Sequence, residues 1–323
     1  MSVSDQTSRA AVRFVRPPTL DDIEAAWDTV HAVLDPTPLV ASPIAPNGSL
    51  KLETFQPTGS FKVRGALAAI ARLPQDRRAV TASAGNHGLG VAWASARLGR
   101  RATVVVPEHS SQPKVDALRT YPIELIECGA DYEAAERNAL ELASLDGAAF
   151  VSPYNDPDVI AGQATIGREL DSQVMGEITV VAPVGGGGLL AGLGLWAQSR
   201  AGVHIAGVES AESRALSSAV AAGRILTVPV GETIADGLAG NLEPGSVTPG
   251  LVAGAELVAV DDDELRAAIC WLFARHGLVA EGSGAAGVAA VLGRKVEISG
   301  ELVVVVTGRN IAAERYAAIL QER

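Results

Sequence analysis

Short apolar runs alternate with longer helical repeats along most of the chain. Six runs are rich in β-branched residues and have the length of strands; they occupy residues 79–84, 102–107, 123–129, 178–184, 204–210 and 301–308. Each of the first five precedes a segment whose apolar residues recur at helical spacing, as in GLGVAWASARLG after the first run. Buried strands that alternate with helices predict βαβ units and a mainly parallel α/β fold with helices on both faces of the sheet.

Two further segments predict the starts of helices. Residues 19–34 (TLDDIEAAWDTVHAVL) begin with Thr or Asp as a cap, repeat apolar positions at helical spacing and stop before Asp35-Pro36. The acidic run 261–264 (DDDE) predicts a capped helix start rather than a metal site, because carboxylates are favourable at the positive end of a helix dipole.

Composition and charge exclude several classes of protein. The chain has 323 residues, of which 48% are hydrophobic, so it is long enough for a large core and two modest domains with a cleft. The formal net charge is -11 and no basic block is interleaved with aromatic residues, which argues against a nucleic-acid partner. No apolar run reaches the roughly 18 residues of a membrane span, so we expect no membrane segment. Cys128 and Cys270 lack CxxC spacing, which favours a reducing compartment, and we expect the cytoplasm.

Two loops connect a predicted strand to a predicted helix, the position where parallel sheets bind their ligands. The loop 83–88 (SAGNHG) brings small residues to a helix N-terminus, which suits a carboxylate, although an ordinary turn explains the same residues. The loop 185–188 consists of four glycines, each of which costs roughly 0.5–1 kcal/mol of backbone entropy relative to alanine. A closely packed phosphate would explain why the chain tolerates that cost.

The glycine loop leaves a second cofactor open. Residues 186–191 (GGGLLA) fit the dinucleotide fingerprint G-x-G-x-x-A, and Glu209 follows about twenty residues on, at the end of the next predicted strand. From this loop alone, an NAD-binding oxidoreductase is therefore an alternative.

A lysine stands between two apolar residues in TGSFKVRGAL (58–67), where Lys62 separates Phe61 from Val63. A buried ammonium is costly unless it is paired or neutralised. Lys62 is therefore either a surface lysine on an ordinary helix or a lysine held as an imine. Thr307 follows the last predicted strand and brings a hydroxyl to the same edge of the sheet.

Four segments, SFKVRG, SAGNHG, VGGGG and TGRN, occur in this order and together resemble the pyridoxal-phosphate (PLP) enzymes of fold type II, specifically the serine/threonine dehydratase branch. The likeness runs from Thr37 to about Asn310 and includes NDPDVIAGQATIGREL (155–170) and EGSGAAGVAAVL (281–292).

The resemblance implies a two-domain α/β fold like that of the tryptophan synthase β chain. A large PLP-binding domain would comprise residues 1–53 and 152–323, and a small mobile domain would comprise residues 54–151. Relatives of this kind are usually homodimers, so we expect a homodimer here as well.

The resemblance also implies how PLP is held. Lys62 would form the imine, Phe61 would pack on the cofactor ring and Asn86 would hydrogen-bond the phenolic oxygen. The phosphate would be cradled by Gly185, Gly186, Gly187 and Gly188. The Thr307 hydroxyl would face the pyridine nitrogen, where it favours ring protonation less than a carboxylate would, and this suits elimination.

The implied reaction is a β-elimination from a β-hydroxy amino acid such as L-threonine or L-serine. The substrate carboxylate would be received by a loop that comprises Ser83, Ala84, Gly85 and His87. The freed Lys62 would remove the Cα proton as a general base, and the β-hydroxyl would leave. The products would be a 2-oxo acid and ammonia.

Departures from the family pattern narrow this expectation. Racemases of the family carry a second serine where this chain has Ala84, so racemisation would be a side reaction at most. His87 occurs with the dehydratases, whereas the amino-acid synthases usually have SGNTG loops. Glu209 is a weak metal candidate because Ser213 and Ala215 follow at the matching positions, so we expect no complete metal site.

Two departures concern the substrate. Arg309 stands where dehydratases commonly have glycine, and the segment that follows Asp236 and Gly237 differs from that of the typical threonine enzymes. These residues would reshape the side-chain pocket for another substrate, such as phenylserine, 3-hydroxyaspartate or an ectoine-breakdown product. A non-catalytic protein that binds PLP and an amino acid is an alternative of a different class.

Overall fold

The computed structural model of the protein describes residues 13–322. Within this range the strands are β1 (Leu39–Ser42), β2 (Gly48–Leu52), β3 (Ala79–Ala82), β4 (Ala102–Val106), β5 (Glu124–Glu127), β6 (Ala149–Phe150), β7 (Ile178–Pro183), β8 (Val203–Ser210), β9 (Glu256–Val260) and β10 (Glu301–Val306). The helices are α1 (Leu20–His31), α2 (Lys62–Arg72), α3 (Asn86–Arg97), α4 (Gln112–Arg119), α5 (Tyr132–Leu145), α6 (Pro157–Gln173), α7 (Gly188–Ala197), α8 (Ala215–Ala222), α9 (Thr248–Leu251), α10 (Asp262–His276), α11 (Gly282–Leu292) and α12 (Ala313–Gln321).

The strands form two sheets. One has six strands in the order β1-β2-β10-β7-β8-β9, and the other has four in the order β5-β4-β3-β6. In the described chain every neighbouring pair is parallel except β1 with β2. The prediction of a mainly parallel α/β fold is confirmed, and all six apolar runs are strands.

Helices cover both faces of the six-stranded sheet. Leu302, Val304 and Val306 of β10 pack with α10 and α11, whereas Val303 and Val305 pack with α6 and α7 on the opposite face. This alternation follows from the two-residue period of a strand. Because both faces are buried, β10 is an unbroken apolar run (LVVVV) in the sequence.

The four-stranded sheet is covered in the same way. Helices α2, α3 and α4 pack on one face with Ala79 and Val104, and α5 packs on the other face with Val80 and Val105. Helices α2 and α6 cross in close contact. An added Cβ on Gly162 would lie 2.6 Å from the Gly65 Cα, so this crossing requires glycine.

Both predicted helix starts are confirmed. Thr19 caps α1 in a reciprocal capping box with Asp22, and Asp261 caps α10 in the same way with Glu264. The acidic run therefore serves the helix. None of the helices between residues 13 and 322 is both long enough and apolar enough to cross a membrane.

A buried cluster of four charges ties α2 to its neighbours. Arg64 of α2 donates to Glu53 at 2.7 and 2.8 Å and to Glu169 of α6 at 2.6 Å, and Lys51 of β2 also contacts Glu169. These side chains are at most 3% exposed. Two positive and two negative charges compensate one another, so α2 is fixed against β2 and α6 close to the residue with which α2 begins, Lys62.

Candidate active site

Lys62 lies at an edge of the six-stranded sheet because the segment before it pairs with the loop after β10. The Phe61 N–H donates to the Thr307 carbonyl at 3.0 Å, and the Arg309 N–H donates to the Gly59 carbonyl at 3.0 Å. A β-bridge joins the same two segments. Thr307 is buried at the end of β10, so its hydroxyl and Lys62 belong to the same edge of the sheet, as predicted.

The Lys62 amine faces the backbone of the crossover between β6 and α6. Its Nζ donates to the Pro153 carbonyl at 2.8 Å and lies 5.3 Å from the centroid of the Phe61 ring. Burial by the surrounding protein lowers the pKa of Lys62 to about 8. At pH 7 about one tenth of Lys62 is thus a free amine, far more than for an ordinary lysine with a pKa of about 10.4, and a nucleophile or general base requires that form.

The loop 83–88 joins β3 to α3 beside Lys62. An added Cβ on Gly88 would lie 2.1 Å from the Ser83 carbonyl oxygen, so only glycine lets α3 start this close to the loop. The Gly85 N–H donates to the Ser83 hydroxyl at 3.2 Å. Among residues 13–322, none accepts from the N–H groups of residues 86–88. These donors at a helix N-terminus suit an anion such as a carboxylate.

Asn86 begins α3 and contacts two side chains from loops of the six-stranded half, one before α11 and one after β10. Its Nδ2 donates to Glu281 Oε1 at 2.6 Å, and its Oδ1 accepts from Asn310 Nδ2 at 2.6 Å. Burial raises the pKa of Glu281 to about 7. The sequence placed Glu281 and Asn310 inside segments of resemblance but gave neither residue a role.

His87 lies beneath the loop rather than at its surface. It is 3% exposed, and its Nε2 lies 3.0 Å from the Val151 carbonyl, which only accepts, so Nε2 carries the proton. Burial, and then the nearby charge of Lys62, lowers the pKa of His87 to about 3. The ring is therefore neutral and offers no positive charge to a carboxylate; its contact with a substrate stays a prediction.

The glycine loop joins β7 to α7 and packs against an aromatic side chain. An added Cβ on Gly186 would lie 2.3 Å from the Tyr154 ring, and one on Gly188 would lie 2.8 Å from the Tyr154 Cα. Gly187 has a φ of 86°, which a side chain would strain. Tyr154 directly follows Pro153, so the loop is held next to the group that binds the Lys62 amine. No motif in the sequence indicates this role of Tyr154.

This loop has the features of a phosphate site. In the described chain, no residue accepts a hydrogen bond from the N–H groups of Gly186, Gly187 or Gly188. They lie at the N-terminus of α7, where the helix dipole favours negative charge. Gly185 packs directly against the segment around Gly237. An added Cβ on Gly185 would lie 2.9 Å from the Gly237 carbonyl oxygen. The residues present thus fit the phosphate of PLP.

The three residues predicted for the substrate pocket, Asp236, Gly237 and Arg309, differ in their contacts. Asp236 forms an ion pair with Lys114 of α4 at 2.8 Å, which connects the six-stranded half of the protein to the four-stranded half. Gly237 donates its N–H to the Ser283 hydroxyl at 3.0 Å. The Arg309 side chain is exposed. Asp236 and Lys114 both influence the charge of Glu281, so this ion pair lies close to Glu281 and its contact with Asn86.

Glu209 is buried at the end of β8, where its carboxylate caps α8. It accepts from the N–H groups of Leu216 and Ser217 at 2.9 and 3.2 Å. Burial raises the pKa of this carboxyl. Residues 13–322 contain no group of three or more His, Cys, Asp or Glu side chains that could hold a metal ion. Glu209, which was a weak metal candidate from the sequence, therefore serves as the cap of α8.

Comparisons with known proteins agree with this geometry. The family model of pyridoxal-phosphate dependent enzymes matches residues 31–308. The L-threonine ammonia-lyase of Thermotoga maritima is 39% identical, over 91% of this chain and 76% of its own. The structure of maize serine racemase has a TM-score of 0.86 at 29% identity and covers 95% of this chain and 98% of its own. Threonine deaminase isoform 2 of Solanum lycopersicum has a TM-score of 0.85 at 28% identity, with coverage of 98% and 93%.

These matches span nearly the whole chain, whereas the dinucleotide fingerprint covered only the glycine loop. The NAD-binding alternative is therefore wrong, and the resemblance stated from the sequence motifs is confirmed. The chain belongs to the family of pyridoxal-phosphate dependent enzymes.

Proposed function

We propose that the protein is a PLP-dependent ammonia-lyase that eliminates water from a β-hydroxy amino acid. The resulting enamine takes up one water molecule again and is hydrolysed to a 2-oxo acid and ammonia. The observation that carries this proposal is the position of Lys62. Its amine has a pKa of about 8 and is bound at 2.8 Å to Pro153, beside a glycine loop with unused N–H donors. A lysine of this kind can both hold the cofactor and move a proton at the substrate Cα.

The residues that would hold PLP come from four elements. The loop 185–188 would bind the phosphate, Lys62 the aldehyde carbon, Asn86 the ring oxygen and Thr307 the ring nitrogen, with Phe61 against the ring. When bound, PLP supplies an electron sink that stabilises negative charge at the substrate Cα. The hydroxyl of Thr307 is neutral, which limits that sink and favours prompt loss of the β-hydroxyl.

The chain's own groups would carry the proton and the substrate. Lys62 Nζ would accept the Cα proton, and the Pro153 carbonyl is placed to hold the resulting ammonium. The N–H groups of residues 86–88, together with Ser83, Ala84 and Gly85, would bind the substrate carboxylate at the start of α3. The neutral ring of His87 would support this loop through Val151.

The substrate is proposed to be L-threonine or L-serine. The names of the relatives support threonine, because the similar Thermotoga maritima protein is an L-threonine ammonia-lyase. Phenylserine and 3-hydroxyaspartate remain as the alternatives that the departures at Arg309, Asp236 and Gly237 suggested. Ala84 brings no hydroxyl to the loop, which supports elimination over racemisation.

We also propose the domain division 1–53 with 152–323 and 54–151, a homodimer and a cytoplasmic location. All strands of the four-stranded sheet lie between residues 79 and 150, which supports the division. Cys128 and Cys270 are both free thiols, which supports a reducing compartment. The homodimer rests on the resemblance.

A substrate panel tests the proposed function. The 2-oxo acid and ammonia are measured for L-threonine, L-serine, 3-hydroxyaspartate and phenylserine, with the D-enantiomer of serine followed by chiral chromatography. We expect equal amounts of oxo acid and ammonia, with L-threonine or L-serine best. If D-serine forms from L-serine without oxo acid, the protein is a racemase and the proposal fails.

The variant Arg309→Ala tests the pocket alternative in the same panel. If the exposed Arg309 binds the second carboxylate of 3-hydroxyaspartate, the variant loses activity on 3-hydroxyaspartate and keeps its activity on threonine. We expect both activities to change together by less than about threefold, because the side chain is directed to solvent.

A further inference from the structure

The amide of Asn86 lies between two side chains that come from loops of the other sheet. Asn310, after β10, donates to Asn86 Oδ1 at 2.6 Å, and Glu281, before α11, accepts from Asn86 Nδ2 at 2.6 Å. All three residues are partly or fully buried. The contacts hold both ends of an amide whose orientation decides whether it donates or accepts.

The direction of this chain of hydrogen bonds is set by a backbone group. Asn310 Nδ2 also donates to the Thr58 carbonyl, at 2.8 Å. A carbonyl oxygen can only accept, so the NH₂ end of Asn310 must face it, and the second N–H of the same group is the one that meets Asn86. Asn86 therefore presents Oδ1 to Asn310 and Nδ2 to the opposite side.

The position of Asn310 is itself tightly constrained. An added Cβ on Gly59 would lie 2.5 Å from Asn310 Oδ1, so the side chain packs directly on the segment that leads to Lys62. Gly59 has a φ of 72°, which also favours glycine there. The turn before Lys62 thus fixes the amide that fixes Asn86.

Glu281 completes the arrangement from the other side. Its N–H donates to the Gly308 carbonyl at 3.1 Å, and an added Cβ on Gly308 would lie 2.1 Å from its Oε1. The charged groups that face it are Asp236 and Lys114. Whether ionised or neutral, the carboxyl keeps an oxygen that accepts from Asn86 Nδ2, so the orientation of Asn86 is the same in both states.

We propose that Asn310 and Glu281 are positioning residues that fix the Asn86 amide so that it donates, rather than accepts, toward the cofactor. One N–H of Nδ2 is used by Glu281, and the other remains for the cofactor's ring oxygen. If the amide turned over, its carbonyl would face that oxygen and repel it. This inference rests on the proposed role of Asn86 beside the ring oxygen.

The decisive variant is Asn310→Asp, which keeps the shape of the side chain but replaces the donor group by an oxygen. That oxygen would face the Thr58 carbonyl and Asn86 Oδ1, both acceptors, so Asn86 would turn over. We expect the dissociation constant of PLP, measured by dilution of the holoenzyme and its visible absorbance, to rise about tenfold, as for the loss of one good hydrogen bond. The absorption maximum should shift as well.

A double-mutant cycle separates positioning from a direct effect. We expect Asn86→Ala to weaken PLP binding, and Asn310→Asp to add less than about twofold to the dissociation constant in the Asn86→Ala background. If Asn310→Asp weakens binding equally in both backgrounds, Asn310 acts without Asn86 and the proposal is overturned.

Two controls guard against a merely structural effect. Asn138→Asp makes the same replacement on α5, where the amide contacts Cys128, and should leave PLP binding unchanged. Glu281→Gln keeps an acceptor oxygen and should bind PLP within about twofold of wild type, whereas Glu281→Ala should bind it more weakly than Glu281→Gln but less weakly than Asn310→Asp, because Asn310 still holds Asn86 Oδ1. Equal weakening by Glu281→Gln and Glu281→Ala would contradict the proposal.

The cycle also distinguishes this inference from the proposed function. It is read from cofactor release, so it holds whichever amino acid is the substrate. If Asn86→Ala leaves PLP binding unchanged, the proposed role of Asn86 is wrong and the positioning role falls with it. If the cycle behaves as expected but no 2-oxo acid forms from any substrate, the positioning role stands and the proposed reaction fails.

Discussion

The substitution Glu169→Gln should severely destabilise the protein, although the Glu169 side chain contacts none of the candidate site residues. Glu169 is 3% exposed and compensates both Arg64, at 2.6 Å, and Lys51. A neutral glutamine would leave two buried cations with Glu53 as their single carboxylate. Removal of one partner from a buried charge cluster costs about 3–5 kcal/mol, because the remaining charge stays buried and uncompensated.

That loss is a large part of the roughly 5–15 kcal/mol by which native domains are stable. We expect urea denaturation, followed by circular dichroism at neutral pH, to show the midpoint fall accordingly. Burial already lowers the pKa of Lys51, so raising the pH lets it shed its proton. The destabilisation by Glu169→Gln should therefore shrink as the pH rises.

The matched control is Glu127→Gln. Glu127 pairs with Arg119 at 2.6 Å, but both side chains are about half exposed. An exposed pair contributes about 0–1 kcal/mol, so this variant should unfold almost as the wild type does. A loss below about 1 kcal/mol for Glu169→Gln, or equal losses for the two variants, would refute the argument that the buried cluster fixes α2.

Three further outcomes are expected. Gly186→Ala should weaken PLP binding at least tenfold, measured by cofactor release, because its Cβ would lie 2.3 Å from an aromatic ring, whereas Gly250→Ala, with open space around its Cβ, should not. Lys114→Ala should raise KM severalfold in steady-state assays, because its ion pair with Asp236 connects the two halves of the protein close to Glu281. The same variant should change the unfolding free energy by less than about 1 kcal/mol, because the ion pair is half exposed. His87 has a folded pKa of about 3 against an ordinary 6.5, so the stability it contributes is present above pH 6.5 and lost as the pH falls. Between pH 6.5 and about 5 the wild type should lose about 2 kcal/mol more than His87→Gln in urea denaturation.

The strands were predictable where burial on both faces makes the sequence itself apolar. β10 (ELVVVV) and β7 (ITVVAP) are almost entirely apolar, and both were found. β2 (GSLKL) was missed because it carries Lys51, whose burial depends on Glu169, a residue 118 positions away. The edge strand β9 was missed because its residues are only half-buried, which weakens the pattern.

The candidate site was predictable from local motifs and was incomplete where long-range contacts build it. Lys62, Asn86 and the glycine loop each sit in a recognisable segment. Tyr154 and Asn310 act through packing that only the folded chain creates, since they meet the glycine loop and Asn86 across distant parts of the sequence. The neutral state of His87 also follows from burial, which the loop sequence does not reveal.

The most direct test of the account is the initial rate at which 2-oxo acid and ammonia form from the best substrate. This rate is compared between wild type and Lys62→Ala, with Lys295→Ala as a control on an exposed lysine. The account predicts equal amounts of the two products from wild type and Lys295→Ala. It predicts that the initial rate falls roughly a thousandfold or more in Lys62→Ala, which is the scale expected when a general base is removed. A Lys62→Ala enzyme that still forms both products near the wild-type rate would contradict it.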